Sequence, residues 1–220
     1  MTSLTHVLRQ YECAFRDLIT FKNLSTDQNV QKALRLNKRA DWDVICTALD
    51  VIGDTTLAIN NFLEFGLEGY TDKDDFGEIY LRLYGVLNAT YLQQFAILSL
   101  YKRFNLDKPK EVIDSLKNLK VFEIRNKLGA HSTNYKNKED LPESYVINRL
   151  SAKGFRLEYK NNKSLEPEWI DLKQCIKEHL VLIIDLLDKI YEKSIKTLYK
   201  GEEANIQKQM QILSELRNLN

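Results

Sequence analysis

Apolar residues recur at spacings of three and four along most of the chain, which is the period of an amphipathic helix. The pattern predicts helices over about residues 3–22, 41–65, 75–104, 109–128, 168–200 and 201–220. Residues 23–29 are polar and predict a loop. Gly66 and Gly129 lie where two of these helices are expected to end. The chain has only 8 glycines and 3 prolines, which favours long helices over many short strands.

The period changes after residue 144. Phe155, Leu157 and Tyr159 alternate with charged residues, which is typical of a half-buried strand, and residues 145–150 supply a partner. We therefore predict a β-hairpin over about residues 144–160. The predicted fold class is all-α, an up-and-down bundle of long helices with this small hairpin inserted before the last long helix. It forms one domain over residues 1–200, followed by a tail helix over 201–220.

Composition limits which classes of function are open. The 220 residues are 44% apolar and 29% charged, and the formal net charge is +1. A nucleic-acid partner would therefore need a local basic patch. The cysteines are widely spaced, and the sequence contains no bilayer-spanning apolar run, nucleotide-binding loop or metal-binding motif. We also expect no secretory leader, because the first residues lack a basic start and an apolar stretch. We expect a cytoplasmic protein with no membrane partner, no cofactor and no bound metal.

Three oddities meet in the segment that ends the fourth predicted helix. Arg125 lies on a partly apolar flank of that helix, between Phe122 and Leu128 at 100° per residue. A guanidinium there needs an acidic partner, a subunit interface or an anionic ligand. If the helix ends at Gly129, His131 can fold back towards Arg125 or meet a copy from another subunit.

The third oddity is local charge. Residues 117–138 hold six basic side chains and one acid, Glu123, which gives a local charge of +5. The basic residues are Lys117, Lys120, Arg125, Lys127, Lys136 and Lys138. A polyanion such as RNA would favour such a surface.

The order Arg125-Asn126-Lys127-Leu128-Gly129-Ala130-His131 resembles the R-x(4–6)-H motif of the HEPN superfamily (higher eukaryotes and prokaryotes nucleotide-binding domains). The polar residue after the arginine and the plan of long helices are also similar to that superfamily. The resemblance implies a metal-independent endoribonuclease that works as a homodimer, with two copies of the motif facing one cleft. It also suggests a toxin or antiviral effector, with an antitoxin protein as a possible partner.

The resemblance also implies roles for individual residues. Arg125 would hold the scissile phosphate, Asn126 would orient it or the imidazole, and His131 would move a proton. The RNA backbone would be positioned without sequence readout by the surrounding side chains. These are Lys117, Lys120, Lys127, Tyr135 and Lys136.

Other interpretations stay open. The same surface could belong to a non-catalytic helical module that binds RNA, a nucleotide or a protein. Arg125 could instead form a structural ion pair, with Asp54 or Glu78 as candidate partners, and His131 could bind the last helix carbonyls. The basic run could be a solvated face. A purely structural protein could dimerise through the apolar seam of the last long helix, at Ile176, Leu180, Ile183, Leu187 and Ile190. The tyrosines at 80, 84 and 91 are interpreted as core or interface and not as a surface on which bases stack.

Overall fold

A computed structural model describes residues 3–24, 26–38, 40–70, 75–130, 135–136 and 141–219. Within these ranges the chain is mostly helical, which confirms the predicted helical class. The α-helices are α1 (Leu4–Phe21), α2 (Asp27–Leu34), α3 (Asp41–Phe65), α4 (Phe76–Arg103), α5 (Pro109–Lys117), α6 (Lys120–Ile124), α7 (Leu172–Leu198) and α8 (Glu203–Arg217). A π-helix (Arg125–Ala130) follows α6 directly. No helix in the described ranges combines the length and apolar character that crossing a membrane requires.

Two small antiparallel sheets complete the described structure. The strands are β1 (Tyr135–Lys136), β2 (Pro142–Glu143), β3 (Tyr145–Lys153), β4 (Arg156–Asn161) and β5 (Pro167–Asp171). One sheet pairs β1 with β2, and the other has the order β3-β4-β5. The pair β3 and β4 is the predicted hairpin, which is therefore confirmed. In this hairpin Leu157 and Tyr159 are fully buried, as their alternation predicts.

The prediction of a helix from residue 168 is wrong at its start. Pro167–Asp171 is a third strand of the sheet, and α7 begins only at Leu172. Proline suits both the first turn of a helix and the first residue of a strand, so Pro167 does not distinguish the two. The alternation in β5 is short: Trp169 is 62% exposed, whereas Ile170 is buried.

The prediction of one helix over 109–128 is also wrong. Leu119 takes an extended backbone conformation with ψ 134°, so α6 begins as a new helix after α5. The buried positions record this break, because Leu116 and Val121 are five residues apart and leave the helical period. The predicted loop over 23–29 is wrong in part, since α2 starts at Asp27. Thr26 caps α2 by accepting a hydrogen bond from the N–H of Asn29 at 3.3 Å.

The chain divides into two compact units. The first unit comprises residues 1–56, 93–113 and 180–220, and the second comprises 57–92 and 114–179. The single domain predicted over 1–200 stays a prediction. The tail helix predicted over 201–220 is present as α8.

In the first unit, polar contacts join α1, α7 and α8 around an aromatic core. Tyr11 meets Tyr191 edge-on at 6.4 Å between ring centroids and donates its hydroxyl to Asp188 at 2.8 Å. Arg217 donates to both carboxylate oxygens of Asp188, at 2.9 and 2.7 Å. The one carboxylate thus receives bonds from both α1 and α8, which fixes α7 between them.

The apolar seam of α7 lies inside the chain. Its five residues, from Ile176 to Ile190, are each at most 1% exposed. Side chains already buried in one chain cannot form the exposed dimer seam that the structural interpretation requires. A purely structural protein therefore could not dimerise through this seam of α7.

In the second unit, the tip of the hairpin is attached to the end of α3. The N–H of Leu67 donates to the carbonyl of Gly154 at 2.8 Å, and the N–H of Gly154 donates to the buried carboxylate of Glu68 at 2.8 Å. Gly66 has a φ of 63°, and a Cβ there would lie 2.7 Å from the carbonyl oxygen of Gly154. Glycine is needed at 66 for both reasons.

We expect Gly66→Ala to lower the free energy of unfolding by about 2 kcal/mol, because the left-handed conformation and the contact with backbone add. Gly154→Ala is the matched control. Gly154 also has a positive φ, 60°, but a Cβ there would meet nothing within 4 Å. Gly154→Ala should therefore lower the free energy of unfolding by only about 1 kcal/mol. Urea unfolding of both variants measures the difference, and equal losses would show that the close approach is unimportant.

Stability should also fall in mild acid because of His179, which lies on α7. Complete burial lowers the pKa of its imidazole to about 3. The unfolded chain takes up this proton below its ordinary pKa near 6.5, whereas the folded chain does not, so stability falls with pH below that value. We expect His179 to account for a loss of about 1.4 kcal/mol between pH 7.5 and 5.5.

The measurement is urea unfolding at both pH values. His179→Gln should reduce the pH-dependent loss whatever its stability at pH 7.5, whereas His6→Gln, at an exposed position of α1, should leave it unchanged. A pH dependence that is the same in the wild type and in His179→Gln would contradict the assignment.

Candidate functional site

The segment that carries the predicted motif is π-helical rather than α-helical. Residues 125–130 form a π-helix with i→i+5 hydrogen bonds, so each hydrogen-bonded ring encloses one more residue than in α6. Segments of this kind are frequent at functional sites because they redirect side chains at a cost in backbone stability. Here the change begins at Arg125, the first residue of the motif.

Arg125 is held by an aromatic ring and an amide. Its guanidinium carbon lies 4.0 Å from the ring centroid of Tyr91 on α4. Its Nη1 donates to the Oδ1 of Asn126 at 3.1 Å. No salt bridge joins Arg125 to any described residue, and the candidate partner Glu78 pairs with Arg82 at 3.6 Å instead. A half-buried guanidinium oriented in this way is prepared to receive an anion.

Lys127 is the opposite case, a buried cation with two acidic partners. It is 8% exposed, and its Nζ lies 2.8 Å from Glu123 and 3.5 Å from Glu168. The same Nζ lies 4.7 Å from the ring centroid of Tyr145. Burial lowers the pKa of Lys127, but the hydrogen bond and charge of Glu123 and the charge of Glu168 outweigh it and raise the pKa overall. The ammonium therefore stays charged and bound to Glu123 and Glu168.

Two further contacts complete the cluster around Lys127. The hydroxyl of the buried Tyr159 donates to Glu168 at 2.6 Å. Lys120 lies 2.9 Å from Glu123 and 3.9 Å from Glu168. Burial and then the hydrogen bond to Glu168 raise the pKa of Tyr159, so its proton stays in this contact. We call Lys120, Glu123, Lys127, Tyr159 and Glu168 the Lys127 cluster.

The cluster changes the charge expected from the sequence. Glu168 comes from β5 and lies outside the window 117–138, so the local charge of +5 overstates the cations left for a ligand. Lys117 is exposed at the end of α5, and Lys136 is exposed on β1. Tyr135 packs edge-on against Tyr145 at 5.7 Å between centroids. The RNA-contacting roles of Lys117, Lys120, Lys127, Tyr135 and Lys136 stay predictions.

His131 lies outside the described residues, as does Lys138. The π-helix runs to Ala130, the residue immediately before this histidine. Gly129 and Ala130 are both exposed, so the π-helix reaches the protein surface at its carboxyl end. The convergence of Arg125 and His131 stays a prediction.

The tyrosines of α4 are residues whose role the sequence did not reveal. Tyr91 supports Arg125, and Tyr84 is 44% exposed rather than buried. Together with Tyr80 it borders a cavity of about 520 Å³. The other lining residues are Leu128, Tyr145, Val146, Ile147 and Arg149. Their common spacing along α4 was the only signal in the sequence, and it predicts a shared face without saying whether that face is covered.

The described residues form one oriented guanidinium near a cavity that three tyrosines, three aliphatic side chains and one arginine line. Within the described ranges, no group of three or more His, Cys, Asp or Glu side chains is arranged to hold a metal ion. Comparison of the chain with known protein families, curated proteins and solved structures found no match.

Loss of Lys127 should destabilise the fold. We expect Lys127→Met to lower the free energy of unfolding by about 2 kcal/mol, because Glu123 and Glu168 lose the buried cation between them and keep only Lys120. The effect is smaller than for a fully buried pair because the two carboxylates are 34% and 44% exposed. Lys117→Met, at an exposed position, is the control and should change stability by less than about 0.5 kcal/mol. Chemical unfolding of both variants measures the difference. An unchanged free energy of unfolding in Lys127→Met would show that the cluster contributes nothing to stability.

Proposed function

We propose that this chain is a metal-independent endoribonuclease of HEPN type, with its site at the π-helix. The observation that supports the proposal most strongly is the state of Arg125. Its guanidinium is oriented by Tyr91 and Asn126, and within the described residues it has no carboxylate partner. A planar fork of donors held in this way matches the oxygens of a phosphodiester.

In the proposed reaction Arg125 binds the scissile phosphate and stabilises the negative charge that builds on it in the transition state. His131 moves the proton of the RNA 2′-hydroxyl or of the leaving oxygen, for which an imidazole of ordinary pKa near 6.5 is suited at neutral pH. Asn126 supports Arg125 through its side-chain oxygen. Lys117 and Lys136, which lie at the surface, contact the RNA backbone.

The proposal includes the finer features implied by the resemblance. The long helices form an up-and-down bundle, and the chain acts as a homodimer that brings two copies of the motif to one cleft. The protein works in the cytoplasm as a toxin or antiviral effector, and an antitoxin protein could control it. The second candidate is a non-catalytic module that binds RNA, a nucleotide or a protein. It is favoured by the Lys127 cluster, which neutralises two of the predicted phosphate-binding lysines.

The test is cleavage of single-stranded RNA by the purified protein in EDTA. We expect Arg125→Ala and His131→Ala each to lower the rate by about 100-fold or more. Arg125→Lys should also lower the cleavage rate, because lysine keeps the charge but lacks the planar guanidinium that stacks on Tyr91. Arg156→Ala, which removes a guanidinium that is 75% exposed on β4, is the control and should cleave normally.

Equal activity in all variants would reject the assignment of the site. RNA binding that Arg125→Ala weakens, with no cleavage by the wild type under any condition, would reject the ribonuclease and support the non-catalytic module.

A further inference from the structure

Two tyrosines one turn apart on α4 form a flat aromatic surface. The ring centroids of Tyr80 and Tyr84 are 5.7 Å apart, and their planes differ by 28°, so the rings are stacked. Tyr84 remains 44% exposed although it is large and mostly apolar. Nearly parallel rings with an open face are the kind of surface on which a planar ligand stacks, and nucleobases do so at single-stranded nucleic-acid sites.

These rings line the cavity of about 520 Å³, a volume within the range of small-molecule sites. Leu128 and Ile147 provide apolar walls, and Tyr145 adds a third phenol. The hydroxyl of Tyr145 already donates to Glu143, so the hydroxyls of Tyr80 and Tyr84 are the ones that can bond the polar edge of a base.

The charge of the cavity is positive. Arg149 on β3 is its one charged side chain among the described lining residues, and no described carboxylate forms a salt bridge with it. The lining contains neither Asp nor Glu. A guanidinium at the border of an aromatic cavity favours a ligand that joins a flat ring to an anion, which is the composition of a nucleotide.

The cavity is bordered by the segment that carries the proposed phosphate site. Leu128 belongs to the π-helix that begins at Arg125, so the π-helix borders the cavity directly. Tyr84 and Tyr91 are seven residues apart on the same face of α4, which corresponds to about 10 Å along the helix. A strand whose phosphate lies at Arg125 on Tyr91 can therefore place a neighbouring base on Tyr84.

We propose that the cavity at Tyr80 and Tyr84 is a nucleobase subsite that holds an unpaired base of single-stranded RNA next to the phosphate at Arg125. This inference rests on the proposed function, and it names the substrate as single-stranded. A base inside a duplex is covered by its neighbours and cannot reach the rings. Arg149 contacts the phosphate on the far side of that base. Stacking accepts any base, so the subsite selects strandedness rather than sequence.

The test measures binding, which separates it from catalysis. The probe is a short fluorescent single-stranded RNA with 2′-O-methyl groups, which remove the nucleophile, and the readout is fluorescence anisotropy. We expect Tyr84→Leu to weaken binding by about 10-fold or more, and Tyr84→Phe, which keeps the ring, to change it by less than about 2-fold. Tyr70→Leu removes a tyrosine that is 85% exposed outside the cavity and should bind normally.

Arg149→Gln should weaken binding. It should also reduce the slope of the logarithm of affinity against the logarithm of salt concentration by about one, because one phosphate contact is lost. The same RNA in a duplex should bind more weakly than the single strand, and Tyr84→Leu should not affect it.

The outcomes distinguish the two proposals. If Arg125→Ala weakens binding but Tyr84→Leu does not, the subsite is overturned and the proposed function stands. If Tyr84→Leu weakens binding but no RNA is cleaved, the subsite stands and the ribonuclease fails. If the wild type binds no RNA, or if Tyr84→Phe loses as much affinity as Tyr84→Leu, the subsite is overturned.

Discussion

The burial of one ammonium group determines the arrangement of the second unit. Lys127 is almost enclosed, and a buried cation must be paired. Its two partners come from α6 and β5, so the charge requirement connects the π-helix to the third strand of the sheet. The hydroxyl of Tyr159 bonds Glu168 from β4, which extends the connection across the sheet. Because the cluster fixes the π-helix at Lys127, it also fixes the direction in which Arg125 leaves the same helix.

Two cations that are neighbours in sequence thus have different environments. Glu123 and Glu168 are occupied by Lys127 and Lys120, so Arg125 is left with the ring of Tyr91. The residue types match these environments. Guanidinium is planar and more weakly hydrated than ammonium, so it stacks on a ring at little cost, whereas ammonium needs carboxylates when it leaves water. The arrangement separates a structural cation from one that can bind a ligand.

The sequence predicts features that repeat along the chain better than contacts that join distant segments. The long helices α1, α3 and α4 and the β3–β4 hairpin follow from their periods. The strand β5 has only five residues, which is too short for a period to be read with Pro167 at its start. The Lys127 cluster could not be predicted, because Glu168 is 41 residues from its partner and a charge count over a window omits it. The π-helix differs from an α-helix by a single residue per turn, and apolar spacing does not record that difference.

The tyrosines of α4 show why a shared face is not a buried face. The helix α4 carries apolar side chains on all its faces: Ile79 is 3% exposed, whereas Leu81 is 69% exposed. Periodicity alone therefore cannot tell which face is buried. The stacked pair at 80 and 84 keeps apolar surface in water, which costs free energy that packing would recover. The cost is compensated if the rings bind a ligand. Since the acids of the Lys127 cluster neutralise two lysines, fewer cations remain to bind phosphates, and in the proposed RNA complex stacking would have to supply more of the affinity.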